Sequence, residues 1–340
     1  MTAIGLCVNP MSGRDVRRLA ARASNMTHQA KRDIVARIAC GADAAGAQEI
    51  YTTREPYRIA SQALEHIDLN TRVECLDVGV ANDASDTERA VAAYLEAGCK
   101  ILVSLGGDGT NRAIVRALMQ QLGASGCREI SLIPLSTGTN NVFPVLLEPT
   151  VAGMAAGFAA SGQLPLETLG FYAKVLHVSL SEGTATDVAM DVALIDAVLL
   201  RSDHVGNLLP FEAEKIDQLV LSRAEPDAVG MSPIGGYLEP VGARDDAGLL
   251  VTMQGQHRFK APLSPGLFRE VAVESWQRLG FEMPVLLHGP GVLALDGDRD
   301  HKLRQGSHAR VTLRRDGPLI LDVPAIMRFA QAQGMIGPSP

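Results

Sequence analysis

Hydrophobic residues in the first half of the chain fall into short continuous runs, and segments with helical spacing lie between them. Runs of this length predict buried strands, at Ile4–Val8, Ile50–Thr52, Val73–Asp77, Lys100–Ser104 and Ile130–Pro134. The segments between them predict helices at Asp15–Ala23, Thr27–Ile38, Glu55–His66, Arg89–Ala97 and Arg112–Leu122. Strands that are apolar throughout and alternate with helices predict a parallel sheet with helices on both faces.

The pattern changes after about residue 151, where short strand-like segments separated by glycine, proline and aspartate replace the alternation. These segments are Phe171–Ser181, Thr186–Leu200, Gln218–Leu221, Gly248–Met253, Val271–Glu274, Val292–Leu295 and Ala309–Leu313. They predict a second, β-rich domain, followed by a helix at Asp322–Gln333. We therefore expect an α/β domain at residues 1–150, a β-rich domain at 151–312 and a C-terminal segment, 313–340, that returns to the first domain.

Composition narrows the classes of protein that fit. The 340 residues are 46% hydrophobic, with a formal net charge of -7 and a pI near 5.6. An acidic chain without a basic patch argues against binding to nucleic acid or to an anionic membrane. No apolar run approaches the ~20 residues of a membrane helix, and the first ten residues lack the pattern of a signal peptide. Five cysteines without CxxC spacing predict reduced thiols, so we expect a cytoplasmic protein.

One loop places an acid between glycines where a predicted strand becomes a helix. In LGGDGT, at Leu105–Thr110, the glycines are expected to allow close approach of a ligand and positive φ angles. The N-terminus of the following helix favours phosphate, which a carboxylate repels. Asp108 therefore suggests another task, which is to hold Mg²⁺ or to accept a proton from an attacking hydroxyl. The alternative is a tight turn in which Asp108 is a helix cap.

Four segments, in order along the chain, resemble motifs of the NAD kinase and diacylglycerol kinase superfamily. LGGDGT resembles its signature, and CVNPMSGR (Cys7–Arg14) resembles the NPxSG motif of the lipid kinases. PLSTGTNNVFP (Pro134–Pro144) resembles the GTxND segment, and LALDGDRDHKLRQGSHARVTL (Leu293–Leu313) resembles the C-terminal DG[EQ] strand with its partner. The form GTNNVFP is most similar to the acetoin catabolism protein X branch, which is described as ATP-NAD kinase-like.

The resemblance implies an N-terminal α/β domain, a β-rich C-terminal domain, and an active site in the crevice between them. It makes Asp108 the catalytic residue. It implies nucleotide or phosphate contacts by two further sets of residues and by the rest of the GGDGT loop: Asn9, Ser12, Gly13, Gly106, Gly107, Gly109, Thr110, Thr137, Gly138, Thr139, Asn140 and Asn141. From the residues alone, Asn9-Pro10 is also typical of a turn, and Asn140 or Asn141 of a helix cap.

On the acceptor side the sequence departs from the family pattern. Asp196 keeps the acid of the NAD kinase acceptor strand, but Ile195 stands where the asparagine belongs. Gly235 and Gly236 keep a glycine turn without the preceding threonine and tyrosine. The resemblance implies acceptor contacts by these glycines, by Asp196 and by Asp296, which also reads as part of a β-turn, Asp296-Gly297-Asp298. Because the asparagine, threonine and tyrosine of the family pattern are missing, the pocket should select among acceptors differently.

The lipid kinases have an acid where this chain has Asn141, so a carboxylate linked to the metal is missing and the metal ligands stay unidentified. We expect a phosphotransferase that uses ATP and Mg²⁺, with NAD as acceptor and NADP as product. The alternatives are a kinase of another small-molecule or lipid-like alcohol, and a non-catalytic NAD or ATP sensor linked to acetoin catabolism. Exposed strand edges would permit a homo-oligomer.

Overall fold

The computed structural model describes residues 2–14, 26–139, 141–181, 188–207, 209 and 211–337. The predicted helix Asp15–Ala23 and the predicted site residue Asn140 lie outside these residues. The strands are β1 Ala3–Val8, β2 Glu49–Thr53, β3 Arg72–Leu76, β4 Cys99–Gly106, β5 Ser131–Ser136, β6 Gly170–Tyr172, β7 Val175–Ser181, β8 Val188–Ala193, β9 Asp196–Leu200, β10 Ile216–Leu221, β11 Gly248–Ser264, β12 Leu267–Leu279, β13 Pro284–His288, β14 Gly291–Leu295, β15 Asp298–Leu303, β16 His308–Arg314 and β17 Leu319–Leu321.

The described helices follow the same order along the chain. They are α1 His28–Ala44, α2 Ile59–Leu64, α3 Ala84–Glu96, α4 Asp108–Cys127, α5 Pro149–Ala160, α6 Ser232–Gly236 and α7 Val323–Ala332. Among the described residues, no helix has both the length and the apolar character needed to cross a membrane.

The N-terminal domain is built on a seven-stranded sheet in the order β3-β2-β1-β4-β5-β17-β6. Its neighbouring strands pair in parallel, except that β6 runs antiparallel to β17. Alternate residues of a strand point to opposite faces. Thus Ile101 and Val103 of β4 pack in the core under α1, α5 and α7, whereas Leu102 packs in the core under α3 and α4. The predicted parallel sheet with helices on both faces is confirmed.

The C-terminal domain is formed by two antiparallel sheets. One has six strands in the order β12-β11-β10-β9-β14-β15, and the other has four in the order β13-β16-β7-β8. Buried residues of both sheets, among them Leu176, Leu199, Leu293 and Val311, form a shared core. The β-rich second domain is therefore confirmed. After β16 the chain pairs β17 in parallel with β5 and packs Ile326 of α7 in the N-terminal core, while the exact domain limits stay a prediction.

Some predicted elements differ from the observed ones. The helix predicted at Glu55–His66 is limited to α2, because the Glu55 carboxylate accepts bonds from the N–H groups of Tyr57 and Ala60 at 2.9 and 3.0 Å, and Arg58 has a left-handed φ of 50°. The segment predicted as one strand at Phe171–Ser181 divides between two sheets, since β6 pairs with β17 and β7 pairs with β16.

Candidate active site

A cavity of about 400 Å³ lies at the carboxyl ends of the parallel strands, against the β-rich domain. Because parallel strands end at the same edge of a sheet, the loops after β1, β4 and β5 meet here. The predicted residues that line the cavity are Asn9, Ser12, Gly13, Gly107, Asp108, Gly109, Thr110, Gly138, Thr139, Asp196 and Asp296. Gly106, at the end of β4, and Thr137 and Asn141, in the loop after β5, lie behind this lining. The structure thus brings together most of the residues singled out from the sequence.

Asp108 is the first residue of α4, and its carboxylate is held by peptide groups of the loop after β5. Oδ1 accepts hydrogen bonds from the N–H of Phe143 at 2.8 Å and of Val142 at 3.1 Å, and Oδ2 lies 3.2 Å from the Val142 nitrogen. Arg223 of the other domain donates to the Val142 carbonyl at 2.9 Å and lies over the Phe143 ring. The position of the carboxylate is therefore fixed by both domains.

Burial raises the pKa of Asp108 to about 7, since water is lost from around the charged form. The charge of Asp296 raises it further, whereas the hydrogen bonds from Phe143 and Val142 and the charge of Arg223 act in the opposite direction. A carboxyl group with a pKa near neutrality can accept and release a proton at physiological pH. The environment of Asp108 therefore suits a general base.

The glycines around Asp108 permit close contacts between loops. A Cβ atom on Gly106 would lie 2.3 Å from the Thr110 Cβ, and one on Gly138 would lie 2.6 Å from the Gly107 Cα. The expectation of positive φ angles in this loop is wrong, because Gly106, Gly107 and Gly109 all lie outside that region and Gly107 has a φ of -104°. The glycines of the GGDG sequence are therefore required because they have no side chains, and not because of their backbone conformation.

The loop after β1 is bound to the GGDGT loop and to the loop after β5. Asn9 donates from Nδ2 to Thr110 Oγ1 at 2.8 Å, and its Oδ1 accepts from the N–H groups of Met11 and Ser12 at 2.8 and 3.2 Å. The Ser12 and Thr137 hydroxyls are 2.7 Å apart. Asn9 therefore does form a local turn, and the same turn presents Ser12 beside the neighbouring strand ends.

Lys31 of α1 was not singled out from the sequence, yet it organises this loop. Its ammonium group is fully buried and donates to the carbonyls of Asn9, Pro10 and Ser12 at 2.7–2.8 Å. The available signal was its position in the helix, since Val35 and Ile38, four and seven residues later, are buried on the same face. A lysine within an apolar stripe indicates a buried partner.

Asp296 lies in the two-residue turn between β14 and β15, as the β-turn reading predicted. Asp296 and Gly297 have φ angles of 50° and 91°, the left-handed conformation that tight hairpins require. The Asp296 carboxylate accepts from the N–H groups of Leu194, Ile195 and Asp196 at 2.7, 2.7 and 3.1 Å. Burial raises the pKa of Asp296 to about 6, and Arg112 together with these N–H groups opposes that rise.

The β-rich domain supplies the other wall of the cavity. Asp196 is buried at the start of β9, beside an apolar surface formed by Phe211, Met231 and Leu263. Gly235 and Gly236 lie in α6 behind this wall, where a Cβ on Gly235 would lie 2.6 Å from the Leu221 side chain. Close packing accounts for these two glycines, and their predicted contact with an acceptor stays a prediction.

Two sets of ligand residues are candidates for holding a divalent cation, and the first consists of a single carboxylate. Asp298 lies beside the start of α4, where its Oδ2 would be 3.2 Å from a Cβ on Gly109, and its oxygen chemistry suits Mg²⁺. The second group is Asp191, Asp300 and His301. Arg112 lies 2.7 Å from both aspartates, and its positive charge makes that group unsuitable for a metal ion.

Comparisons with known proteins agree with this architecture. Residues 174–316 match the model of the acetoin catabolism protein X C-terminal domain, and residues 58–164 match that of the diacylglycerol kinase catalytic domain. Yeast NADH kinase complexed with NADH shares the fold, with a TM-score of 0.53 and 14% identity over 100% of this chain and 89% of that one. A putative diacylglycerol kinase from Bacillus anthracis strain Sterne has a TM-score of 0.44 and 11% identity, over 96% and 98% of the two chains.

One relative is more similar to this chain in sequence than these solved structures are. The acetoin catabolism protein X of Cupriavidus necator is 32% identical over 339 residues, which cover 96% of this chain and 92% of the relative. The resemblance drawn from the four sequence motifs is thereby confirmed. The chain belongs to the acetoin catabolism protein X family, and its fold is that of the NAD and diacylglycerol kinases.

Proposed function

We propose that this protein is an ATP-dependent phosphotransferase that phosphorylates a hydroxyl group, with NAD as the first acceptor to test and NADP as its product. The observation that carries the proposal is the position of Asp108. Its carboxylate is fixed at the first turn of α4 and lines the cavity between the domains, where burial raises its pKa to about 7. A group of this kind is suited to remove a proton from an acceptor hydroxyl.

The donor would bind on the side of the N-terminal domain. The N–H groups at the start of α4 and the loops after β1 and β5 provide polar contacts for phosphate oxygens. Mg²⁺, for which Asp298 is the candidate ligand, would neutralise phosphate charge. The acceptor oxygen would then form a bond to the γ-phosphorus while the bond to the ADP oxygen breaks. Asp108 takes the hydroxyl proton, so that ADP and a phosphate ester are the products.

A second candidate is phosphorylation of an uncharged small-molecule or lipid-like alcohol. The acceptor wall combines the carboxylates of Asp196 and Asp296 with the apolar side chains of Phe211, Met231 and Leu263. Carboxylates can orient a hydroxyl by hydrogen bonding, whereas they repel the phosphates that NAD would bring into the cavity. The charge of this wall therefore favours a neutral alcohol over NAD, whereas the family resemblance favours NAD.

The test is to incubate the purified chain with ATP and Mg²⁺, first with NAD and then with neutral alcohols, and to measure NADP, ADP and phosphate esters. Asp108→Asn is assayed in parallel. Asp43→Asn is the matched control, because Asp43 also accepts hydrogen bonds, from Thr71 at 2.7 and 2.8 Å, but lies away from the cavity. We expect Asp108→Asn to lose activity by at least about 10²-fold and Asp43→Asn to retain it.

The outcomes separate the candidates. NADP formed by the wild type and not by Asp108→Asn would establish NAD as an acceptor. A phosphate ester of an alcohol without NADP would favour the second candidate. Binding of ATP or NAD without any product, under conditions in which the protein is folded, would contradict the phosphotransferase and favour the sensor.

A further inference from the structure

Arg112 joins the helix that carries Asp108 to three segments of the β-rich domain. It is 3% exposed and lies four residues after Asp108, on the same face of α4. Its guanidinium donates to the carbonyls of Val192 at 2.7 Å and Leu295 at 3.2 Å. It also pairs at 2.7 Å with carboxylate oxygens of Asp191 and Asp300.

These partners are adjacent in sequence to the two parts of the Asp296 site. Leu295 directly precedes Asp296, so the bond to its carbonyl holds the β14–β15 turn. Val192 precedes the residues whose N–H groups bind the Asp296 carboxylate, Leu194 and Ile195. One guanidinium therefore holds both the turn that presents Asp296 and the segment that binds it.

The contacts of Arg112 have a geometry that another cation cannot reproduce. A guanidinium has five N–H donors in a fixed plane, and here they reach acceptors on β8, β14 and β15. A lysine ammonium in the same place would keep the charge, but it could not reach all of these acceptors at once. The charge of Arg112 also opposes the rise in pKa that burial imposes on Asp296.

We propose that Arg112 is a positioning residue, which fixes Asp296 relative to Asp108 and so sets the geometry of the acceptor side of the cavity. The inference rests on the proposed phosphotransfer for its effect on rate. Its geometric part does not, because the position of the β14–β15 turn can be measured without turnover. Nothing in the NPxSG, GGDGT or GTNN motifs indicates this role.

The test compares Arg112→Met and Arg112→Lys with the wild-type protein. Hydrogen–deuterium exchange of peptides covering residues 192–197 and 293–298 is measured first, because their amides report on the Asp296 site. The affinity for ATP without Mg²⁺, which depends on the N-terminal domain, and the kcat for the acceptor found above are measured next. We expect faster exchange in both peptides in Arg112→Met, an unchanged affinity for ATP alone and a kcat lowered about 10²-fold. In Arg112→Lys, the exchange of the two peptides and the kcat should lie between those of Arg112→Met and the wild type.

Arg315→Met is the matched control. Arg315 also pairs with an aspartate, Asp246 at 3.0 Å, and also donates to carbonyls, those of Tyr172 and Asp245 at 3.0 and 2.8 Å among them. These partners do not line the cavity. We expect this variant to leave the exchange of the two peptides and kcat unchanged.

The proposal is overturned if the two peptides exchange in Arg112→Met as they do in the wild type, whatever happens to activity. It is also overturned if an active wild-type enzyme and Arg112→Met have the same kcat. If the wild type phosphorylates none of the acceptors, the proposed function fails, and the exchange data alone decide the positioning role. Should Arg112→Met not fold, Asp300→Asn replaces it, since the Asp300 side chain is 39% exposed and the substitution removes one ion pair.

Discussion

Asp108 and Asp296 belong to different domains, yet their carboxylates line one cavity, and the charge of Asp296 disfavours ionisation of Asp108. Burial, and after it the charge of Asp296, raises the pKa of Asp108 to about 7. Each carboxylate is held by N–H groups from a segment distant in sequence, around Val142 for Asp108 and around Ile195 for Asp296. This arrangement gives the cavity two carboxyl groups whose pKa values burial raises, to about 7 for Asp108 and about 6 for Asp296.

The first prediction concerns pH. If Asp108 accepts the hydroxyl proton, it must be ionised, so kcat/KM should rise with pH through an apparent pKa of about 7. Asp296→Asn removes a negative charge that disfavours ionisation of Asp108, and the rising limb should move to lower pH. The measurement is the pH dependence of kcat/KM for both proteins.

Asp83→Asn is the control for this prediction. Asp83 also lines the cavity, but it accepts from the Ser85 N–H as the cap of α3 and is not among the charges that shift Asp108. Its substitution should leave the position of the limb unchanged. A limb that stays in place in Asp296→Asn, or moves to higher pH, would contradict the coupling.

The second prediction concerns Lys31. Lys31→Met would remove the donor shared by the partly buried carbonyls of Asn9, Pro10 and Ser12, of which the Asn9 carbonyl also accepts from the Ser12 hydroxyl. Because acceptors that lose their donor within a folded loop are costly, the free energy of unfolding should fall by roughly 1–3 kcal/mol. The loop after β1 should lose its shape, and the affinity for ATP should fall about tenfold.

Calorimetric titration with ATP and Mg²⁺, together with urea unfolding, measures both effects. Lys100→Met is the control, because Lys100 is exposed and its distance to Glu129 is 3.5 Å. An exposed pair of this kind contributes about 0–1 kcal/mol, so the control should behave like the wild type. Wild-type affinity for ATP in Lys31→Met would show that the loop does not depend on the lysine.

The third prediction concerns the contact between the loops after β4 and β5. Gly138→Ala places a Cβ 2.6 Å from the Gly107 Cα, so the two loops must separate. Strain of this kind costs about 1–3 kcal/mol, and nucleotide affinity should fall with it. Gly79→Ala is the control, since its Cβ would meet no atom within 4 Å.

Thermal unfolding and nucleotide titration of the two alanine variants provide the measurement. We expect Gly138→Ala to lower both the Tm and the affinity, and Gly79→Ala to lower neither. If the two variants have the same Tm and the same affinity, the close approach of Gly107 and Gly138 is not required for stability or for nucleotide binding.

The sequence by itself determined the elements that depend on local pattern. Apolar runs such as Ile101–Val103 specify β4, and the glycines and Asp108 that follow it mark the loop at its carboxyl end. These inferences require only periodicity and turn chemistry. Asn9 and Thr137 were assigned to the same site by the resemblance of their motifs, and the common edge at which parallel strands end is the physical reason that they meet this loop.

Tertiary structure alone decided which distant groups meet. Arg112 and Asp300 are separated by 188 residues, and Asp108 receives N–H groups from residues 34 and 35 positions later. Lys31 looks from its charge like a surface residue, and only the folded loop shows that three carbonyls surround its ammonium. Such pairings depend on how sheets and helices pack across the two domains, and the local pattern of one segment carries no information about the segment that it will face.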